Sequence, residues 1–455
     1  MRLHTQSLLR PSRYLLLASS NFVLPRYSAN LRRTIIVLGV AMLFTPKVNI
    51  VSIAGESAGI RIDDVLLFVI FALLMAGVLL ARKLTINGIE SITFILIGYM
   101  LLSNWINLQM FGRSSLLYSL RYFEYFMFFY VGRYFFDARY SAARLLYAML
   151  FVNASLMVLQ DLAIIGGFAS AGFSQDVAGR PIGVTGGPWE VGAILNFSLA
   201  IFLFDRKEVP AVTSRILVIA FTSALVVMTG ARMPALAHVF LISYYVYLQA
   251  PNKTYLLRNA ALIGGLLLFA ILVIPNPLTE RSENLFSVAN IERFQDQYSK
   301  ASVPEEKFEG WSEEYTTDEY TDWSWIIRLA RWTVAIKTWT NSPLAWFVGV
   351  GPGNWGPALD GGWLRVMSEW GLFGLALFLV FLYRIAQISR AMFAMVVALA
   401  INMLFIDIHI AYKAMSLFFF LSGYAYNKAR ANREGVNKAS GYPGSFAHAG
   451  EMTVR

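Results

Sequence analysis

The chain has 455 residues, of which 57% are apolar and 15% are charged; its formal net charge is +10 and it contains no cysteine. An ordinary soluble domain is about 45–50% apolar and about 25% charged. The composition therefore excludes a disordered or collagen-like chain and a nucleic-acid-binding domain, and the lack of cysteine excludes disulfides and thiolate metal ligands. Because a bilayer core about 30 Å thick requires apolar segments of about 20 residues, we expect a polytopic membrane protein.

Apolar segments along the chain predict an all-α membrane bundle of about twelve transmembrane helices. The predicted spans are residues 34–53, 63–81, 88–108, 114–134, 145–166, 190–205, 213–229, 232–250, 256–275, 363–383, 390–409 and 411–427. Lysine and arginine are concentrated in alternate loops, which predicts that both termini lie in the cytoplasm. The predicted organisation is a basic cytoplasmic tail (1–33), spans one to nine (34–275), an extracytoplasmic loop (276–360), spans ten to twelve (361–427) and a second cytoplasmic tail (428–455).

The predicted extracytoplasmic loop, residues 276–360, is unusually rich in tryptophan. Nine of the eleven tryptophans of the chain lie between Trp311 and Trp370. Disordered segments are depleted in aromatic residues, so we predict an ordered, helical cap. Residues 322–341 are predicted to form a helix, because tryptophan and arginine recur near one helical face, and Pro343 is predicted to end it.

Three predicted outer turns combine arginine with residues that let the backbone approach a ligand closely. They are GRPIGVTGGPWE (179–190) with Arg180 and Glu190, the short turn at Arg232 between spans seven and eight, and the cap helix with Arg328 and Arg331 followed by GVGPGNWG (349–356). An arginine buried near hydrocarbon costs a few kcal/mol unless it is paired or faces a watery cavity. Each turn also has a plainer interpretation: an ordinary interhelical loop, an arginine that snorkels to the interface, or a turn that joins the cap to span ten.

Arginine and tryptophan together favour a ligand that carries both phosphate and sugar. A guanidinium donates two parallel hydrogen bonds to phosphate oxygens and remains charged. A tryptophan such as Trp332 or Trp355 offers a flat apolar face for a pyranose ring and an N–H for its hydroxyls. Arginines at the outer boundary, below a tryptophan-rich cap, therefore suggest a lipid-linked phosphate that carries sugar.

Charged residues within or beside the predicted spans add further candidates. Arg121 and Glu124 lie on one face of span four; they form an ion pair in one interpretation, and Arg121 binds substrate in the other. Asp360 is predicted to be the N-cap of span ten, and Glu369 is predicted to pair with Arg365, four residues before it. The four histidines lack metal-ligand spacing, and we expect neither a metal nor a cofactor.

Five segments, taken in their order along residues 34–427, are characteristic of a known superfamily. They are IRIDDVLLF (60–68), RPIGVTGGPWE (180–190), TGARMPALA (229–237), RLARWTVAI (328–336), and GVGPGNWG running into LRVMSEWGLFGLALF (349–378). By these segments the chain resembles the O-antigen polymerases and O-antigen ligases, with related exopolysaccharide polymerases. The resemblance implies a metal-independent glycosyltransferase of the bacterial inner membrane with a periplasmic cap. Its substrate would be an undecaprenyl-pyrophosphate-linked glycan. Its partners would be membrane lipids and, in the same pathway, a flippase and a chain-length regulator.

The resemblance also implies roles for individual residues. Arg232 and Arg328 would bind the pyrophosphate and neutralise the charge that develops on the leaving group, with Arg180 as a third candidate. A general base near the acceptor hydroxyl would add about 10²–10⁴-fold to the rate. Asp360 and Glu190 are the candidates for that base.

One departure from the superfamily pattern bears on the choice of reaction. Ligases of this superfamily place a histidine between the glycine-rich turn and the EWG-like segment, whereas residues 354–369 contain none. This favours a polymerase that joins lipid-linked repeat units at the periplasmic face. Two alternatives stay open: a ligase that moves finished glycan to a lipid A core or a protein, and a flippase or transporter of lipid-linked sugars.

Overall fold

The computed structural model describes residues 29–46, 49–52, 59–81, 88–108, 114–167, 179–205, 212–249, 254, 258, 323–356 and 358–439. Thirteen α-helices lie within these ranges. In chain order they are α1 (Ala29–Phe44), α2 (Ile62–Ala81), α3 (Gly88–Ile106), α4 (Ser114–Asp137), α5 (Ala142–Asp161), α6 (Pro188–Phe204), α7 (Val212–Met228), α8 (Arg232–Gln249), α9 (Trp323–Thr340), α10 (Pro343–Val348), α11 (Gly362–Ala386), α12 (Arg390–Asn402) and α13 (Tyr412–Ala439). A short antiparallel ribbon of β1 (Asn49–Ser52) and β2 (Gly59–Arg61) precedes α2, and a 3-10 turn (Ile408–Ile410) precedes α13.

The predicted all-α membrane class is confirmed in its coarse form. Helices α3, α5 and α11 are long and apolar enough to cross a membrane, judged by length and composition. Large apolar side chains such as Phe151 and Phe68 remain exposed on the outside of the bundle, at 71% and 69%, and large exposed apolar surface is typical of a protein that contacts lipid. The count of about twelve spans and the extracytoplasmic cap stay predictions.

The first predicted span is wrong at its carboxyl end. The sequence predicts a helix that reaches residue 53, but α1 ends at Phe44, and β1 occupies residues 49–52. Pro46 explains the difference, because proline cannot donate a helical hydrogen bond and disfavours helical backbone in the residue before it.

The predicted boundaries of spans eleven and twelve are also wrong. Helix α12 ends at Asn402 and not near residue 409. The backbone turns after Asn402, and the segment before the 3-10 turn contacts the start of α11. In this contact the carbonyl oxygen of Met403 accepts a hydrogen bond from the backbone N–H of Trp363 at 3.1 Å. Helix α13 continues to Ala439, well beyond the predicted end at residue 427. The predicted ninth span and most of the predicted cap lie outside the described residues.

The predicted cap helix at 322–341 is confirmed as α9, and one detail of it is wrong. Pro343 begins a second helix, α10, in the first helical position that proline tolerates. Ser342 caps α10 by accepting a hydrogen bond from the backbone N–H of Ala345 at 3.1 Å. The chain therefore turns sharply after α9 and continues as a short helix before the glycine-rich segment.

Helices α4 and α13 form the centre of the bundle, where glycine brings their backbones together. A Cβ atom on Gly132 would collide with the carbonyl oxygen of Phe420, and a Cβ atom on Gly423 would collide with that of Phe129. Small residues allow this close approach between membrane helices. The two helices run parallel, since Tyr125 contacts Tyr412 and Arg133 contacts Asn427, and the pair fixes the frame on which the other helices pack.

Buried polar groups gather at two opposite ends of this pair. At the end of α4, Arg133 donates hydrogen bonds to Glu90 Oε1 at 2.7 Å and to Asn427 Oδ1 at 3.1 Å, and all three side chains are buried. We call this the Arg133 end. The opposite end, which we call the Arg365 end, contains the starts of α11 and α13 and the residues that the sequence singles out.

Candidate active site

The Arg365 end is organised around the buried carboxylate of Asp407. Its Oδ2 accepts hydrogen bonds from the backbone N–H groups of Leu359 at 2.6 Å and Asp360 at 3.1 Å, and its Oδ1 accepts from the N–H of Gly361 at 3.1 Å. Nη1 of Arg365 donates to the same Oδ2 at 3.0 Å. Asp407 therefore satisfies the N–H groups that precede α11 and fixes this turn from the segment between α12 and α13.

Arg365 is fully buried and lies between two carboxylates. Its Nε is 3.1 Å from Oε1 of Glu369, so the predicted ion pair between these two residues is confirmed. Its Nη2 donates to the carbonyl oxygen of Gly356 at 2.6 Å. A buried guanidinium held by two acids and a backbone carbonyl can position the glycine-rich segment, but it is already neutralised.

Asp360 is not the N-cap of α11, as the sequence predicts. The N-cap position is occupied by Gly361, and Asp360 adopts a left-handed backbone with φ of 58°. Its Oδ2 lies 3.6 Å from Nε of Arg328 and 3.7 Å from Nη1 of Arg331, and all three side chains are partly exposed. The unusual backbone thus turns this carboxylate away from the helix start and towards the arginines of α9.

The pKa of Asp360 is raised above the ordinary aspartate value. Burial raises it most, the two neighbouring arginines of α9 oppose that effect, and the nearby carboxylate of Asp407 raises it further. A carboxyl group with a raised pKa is a common feature of functional sites. Here the physical cause is removal of the carboxylate from water, which outweighs the opposing effect of the two cations.

The two tryptophans predicted to bind sugar both take part in packing this turn. Trp332 donates from Nε1 to the carbonyl oxygen of Leu359 at 3.1 Å, and its ring lies 5.6 Å from that of Phe405. Trp355 donates from Nε1 to Oγ of Ser368 at 2.8 Å and is 7% exposed. Trp332 therefore docks α9 over the start of α11, and Trp355 anchors the glycine-rich segment against that helix.

The glycine-rich segment packs backbone to backbone against a kink in α11. The kink is at Gly371, whose φ is 65°, and a Cβ atom there would collide with the carbonyl oxygen of Phe347. Gly349, with φ of 81°, lies against the carbonyl oxygen of Glu369 in the same way. The hydroxyl of Tyr99 donates to the carbonyl oxygen of Trp370 at 2.7 Å, which satisfies an acceptor that the kink exposes.

The predicted loop at 179–190 is held against α5 by two amide side chains. Oε1 of Gln160 accepts hydrogen bonds from the backbone N–H groups of Ile182 at 2.9 Å and Gly183 at 2.8 Å. Oδ1 of Asn153 accepts from the N–H of Val184 at 3.2 Å. Arg180 is partly buried at the beginning of this loop. The loop is therefore a fixed structure and not an open tether.

Glu190 is completely buried at the start of α6, and its oxygens are engaged by backbone groups. Oε2 accepts from the N–H of Gly186 at 2.9 Å, and Oε1 accepts from the N–H of Lys413 at 2.8 Å. The ammonium of Lys413 in turn lies 3.2 Å from Oδ2 of Asp63 and donates to the carbonyl oxygen of Met42 at 2.5 Å. This arrangement favours a positioning role for Glu190, which joins the starts of α6 and α13.

Arg232 begins α8 in the short turn after α7, where the sequence predicts it. Helix α6 holds this start, because Nδ2 of Asn196 donates to the carbonyl oxygen of Pro234 at 2.8 Å. Gly192 also lets α6 approach the Pro234 ring closely. Since α6 and α13 start together, Arg232 lies at the Arg365 end of the bundle.

A hydrogen-bonded chain below Arg232 ties α6, α7 and α8 together. The amide of Asn196 donates from Nδ2 to a carbonyl, so its Oδ1 accepts from Nδ1 of His238 at 2.9 Å. Nε2 of His238 is then the acceptor for the hydroxyl of Ser223 at 2.9 Å. Polar side chains that bond across membrane helices stabilise their association, and we interpret this chain as a clamp.

Arg121 lies beside the same end of the bundle, on α4. Its guanidinium carbon is 4.3 Å from the centroid of the Tyr118 ring, and that of Arg365 is 5.4 Å from the same centroid. A Cβ atom on Gly353 would lie 2.5 Å from this ring. Tyr118 therefore separates the partly exposed Arg121 from the buried arginine and supports the glycine-rich segment.

The structure brings the candidates of sequence analysis to one end of the bundle through a chain of contacts between helix starts. Arg328 and Arg331 both contact Asp360, whereas Glu190 and Arg232 reach this end through α6. Sequence analysis did not identify the bonding roles of the polar groups that hold the site. These are Asn153, Gln160, Asn196, Ser223, Asp407 and Lys413. Polar residues inside apolar segments are the signal for them, but their partners are on distant helices.

Comparison with known proteins adds no relative to this description. No family model matches the chain, and no curated protein is similar to it. The site is therefore interpreted from its own residues.

Proposed function

We propose that the protein is a polysaccharide polymerase that joins undecaprenyl-pyrophosphate-linked oligosaccharide units, as in O-antigen or exopolysaccharide synthesis. In this proposal the chain crosses the bacterial inner membrane about twelve times, both termini are cytoplasmic, and the Arg365 end faces the periplasm beneath the cap. The glycan on one carrier is transferred to a hydroxyl of the next unit, and the first carrier leaves with its pyrophosphate.

The observation that carries the proposal is an excess of positive charge among the described, partly exposed residues of the Arg365 end. Arg328 and Arg331 share the single carboxylate of Asp360, at 3.6 and 3.7 Å. The buried Arg365, by contrast, has two carboxylates of its own. Partly exposed guanidinium groups that share one carboxylate, as these two do among the residues that the structure describes, are suited to a pyrophosphate, whose oxygens match their planar fork.

The proposed chemistry needs positive charge where the leaving group becomes an anion. Breaking the bond between the sugar and the pyrophosphate leaves its electrons on a phosphate oxygen, and preorganised donors stabilise that charge most in a site that excludes water. Arg328 and Arg232 would provide these donors. The attacking hydroxyl must lose a proton, and Asp360, whose pKa is raised, is a carboxyl group in contact with the arginines of α9.

The proposal is tested in a strain that depends on this protein for polymer. Deletion should leave only single repeat units on the carrier, and Arg232→Ala and Arg328→Ala should each reproduce that defect while the protein accumulates normally. Loss of one such donor costs about 10²–10³-fold in rate. Arg390→Ala is the matched control, because Arg390 is exposed at the start of α12 and belongs to a predicted cytoplasmic loop.

The products of the deletion strain separate the three reactions considered. Polymer of normal length in both arginine variants would overturn the proposed site. Long polymer that accumulates on the carrier without attachment would indicate a ligase. Movement of repeat units across inverted vesicles without change of glycan length would indicate a transporter.

A further inference from the structure

The turn between α4 and α5 forms a second arginine site at the Arg133 end of the bundle, far from the residues of the proposed reaction. It borders a half-open cavity of about 400 Å³. The cavity is lined by Phe135, Arg139, Tyr140, Ser141, Arg144 and Leu145. Its walls therefore combine two cations and a hydroxyl with apolar and aromatic side chains.

The backbone holds the two arginines of this cavity in defined places. Arg139 has a φ of 60° and ends α4 with its N–H donating to the carbonyl oxygen of Phe136 at 2.8 Å. Ser141 caps α5 by accepting a hydrogen bond from the N–H of Arg144 at 3.4 Å. Both arginine side chains are exposed, and neither has a carboxylate partner within the part of the chain described here.

An exposed apolar stripe runs along α5 directly below Arg144. Tyr147, Phe151 and Val158 follow Arg144 by three, seven and fourteen residues, so they lie near one helical face, and they are 41%, 71% and 45% exposed. At 1.5 Å per residue, the stripe from Tyr147 to Val158 is about 17 Å long. One leaflet of the hydrocarbon core is about 15 Å thick, so the stripe is long enough to cover it.

Helix α5 is one of the three helices among the described residues that are long and apolar enough to cross a membrane, and the cavity lies at its first turn. That position is the boundary between hydrocarbon and head groups. Tyr140, which is 45% exposed, belongs to the residue type that is enriched at this boundary. The cavity is therefore placed to take a phosphate group whose acyl chains follow the stripe below.

We propose that this turn binds the phosphate of an anionic glycerophospholipid, with Arg139 and Arg144 on the phosphate and an acyl chain along α5. Basic pockets between membrane helices favour anionic head groups in this way. A phosphatidylglycerol head group suits the site, because its glycerol is neutral. A choline head group does not, because its own cation would lie beside two arginines.

The test measures lipid binding to the full-length protein by native mass spectrometry, with phosphatidylglycerol and phosphatidylcholine as probes. The wild type should retain one phosphatidylglycerol about 30-fold more tightly than phosphatidylcholine, equivalent to about 2 kcal/mol for two arginines at the surface. Arg139→Gln with Arg144→Gln should abolish this preference. Raised ionic strength should weaken it in the wild type, because exposed charges are screened.

A matched control separates the cavity from general basic charge. Arg390 is exposed and follows Ser389, which caps α12 as Ser141 caps α5, so Arg390→Gln removes a comparable arginine and should leave the preference unchanged. Thermal unfolding checks that the double variant is folded. A double variant that keeps the preference would overturn the proposal. Inorganic phosphate that displaces the lipid at equal concentration would also overturn it, since the apolar stripe would then contribute nothing.

Discussion

Replacing Asp407 by alanine tests whether this carboxylate holds the Arg365 end together. The substitution removes the acceptor for three backbone N–H groups, at 2.6, 3.1 and 3.1 Å, and for Nη1 of the buried Arg365 at 3.0 Å. Removing one partner of a buried ion pair costs about 3–5 kcal/mol, because it leaves a buried charge uncompensated. Because Glu369 remains beside Arg365 and still compensates its charge, we expect the loss in free energy of unfolding to stay within this range.

Asp360→Ala is the matched control for this prediction, since it removes an acid from the same turn. Its carboxylate is partly exposed and lies 3.6 and 3.7 Å from its two arginines, and such exposed pairs contribute about 0–1 kcal/mol. At about 2 °C per kcal/mol, the thermal midpoint should fall by about 6–10 °C in Asp407→Ala and by about 2 °C or less in the control.

The assay is thermal unfolding of the two purified variants in the same detergent, followed by far-ultraviolet circular dichroism. Equal shifts in the two variants would refute the reasoning, because they would mean that burial and backbone hydrogen bonds do not distinguish the two acids. A fall confined to Asp360→Ala would refute it as well.

Three further substitutions test other parts of the site. Asp360→Asn should tighten binding of inorganic pyrophosphate several-fold at pH 7, because it frees the two arginines from their carboxylate. The raised pKa of Asp360 also means that protonation of the wild-type carboxyl stabilises the fold as pH falls. The variant should therefore gain less stability on acidification than the wild type. A loss of more than about 10²-fold in polymerisation would instead identify Asp360 as the base. Asn196→Asp should lower the thermal midpoint and reduce polymer length, since it places a carboxylate against the carbonyl oxygen of Pro234; unchanged stability would contradict the clamp. Gly371→Ala should destabilise by more than about 1 kcal/mol because φ is positive there, whereas Gly98→Ala, with open space around its Cβ, should be neutral or stabilising, and similar shifts in both would contradict the close packing.

The helices could be predicted from the sequence because each one has to be apolar over most of its length. Periodicity and hydropathy placed α9 within one residue at either end, and positions such as Arg232 at the start of α8 follow from short polar turns. The errors occur where tertiary contacts decide. Residues 403–407 are apolar enough to continue a helix, yet they turn because Asp407 bonds a segment 46–48 residues away.

The sequence predicts which residue types belong to the candidate site, but it does not predict which side chains contact each other there. Arginine next to turn residues identified Arg328, whose acid could not be assigned from spacing because Asp360 precedes α11 in a left-handed backbone that turns it towards α9. The chain of Asn196, His238 and Ser223 comes from three helices, and no interval in the sequence indicates that these residues meet. Pairing across helices depends on packing, which local pattern does not contain.

Helix α13 has a consequence for how the protein is made. It supplies Lys413 to Asp63 at one end of the bundle and Asn427 to Arg133 at the other, and it is the last helix of the described chain to leave the ribosome. Earlier helices therefore enter the membrane with acids and an arginine that lack their final partners. Membrane proteases should recognise such unfinished bundles, so a chain interrupted before α13 is expected to be degraded and not to accumulate as a stable fragment.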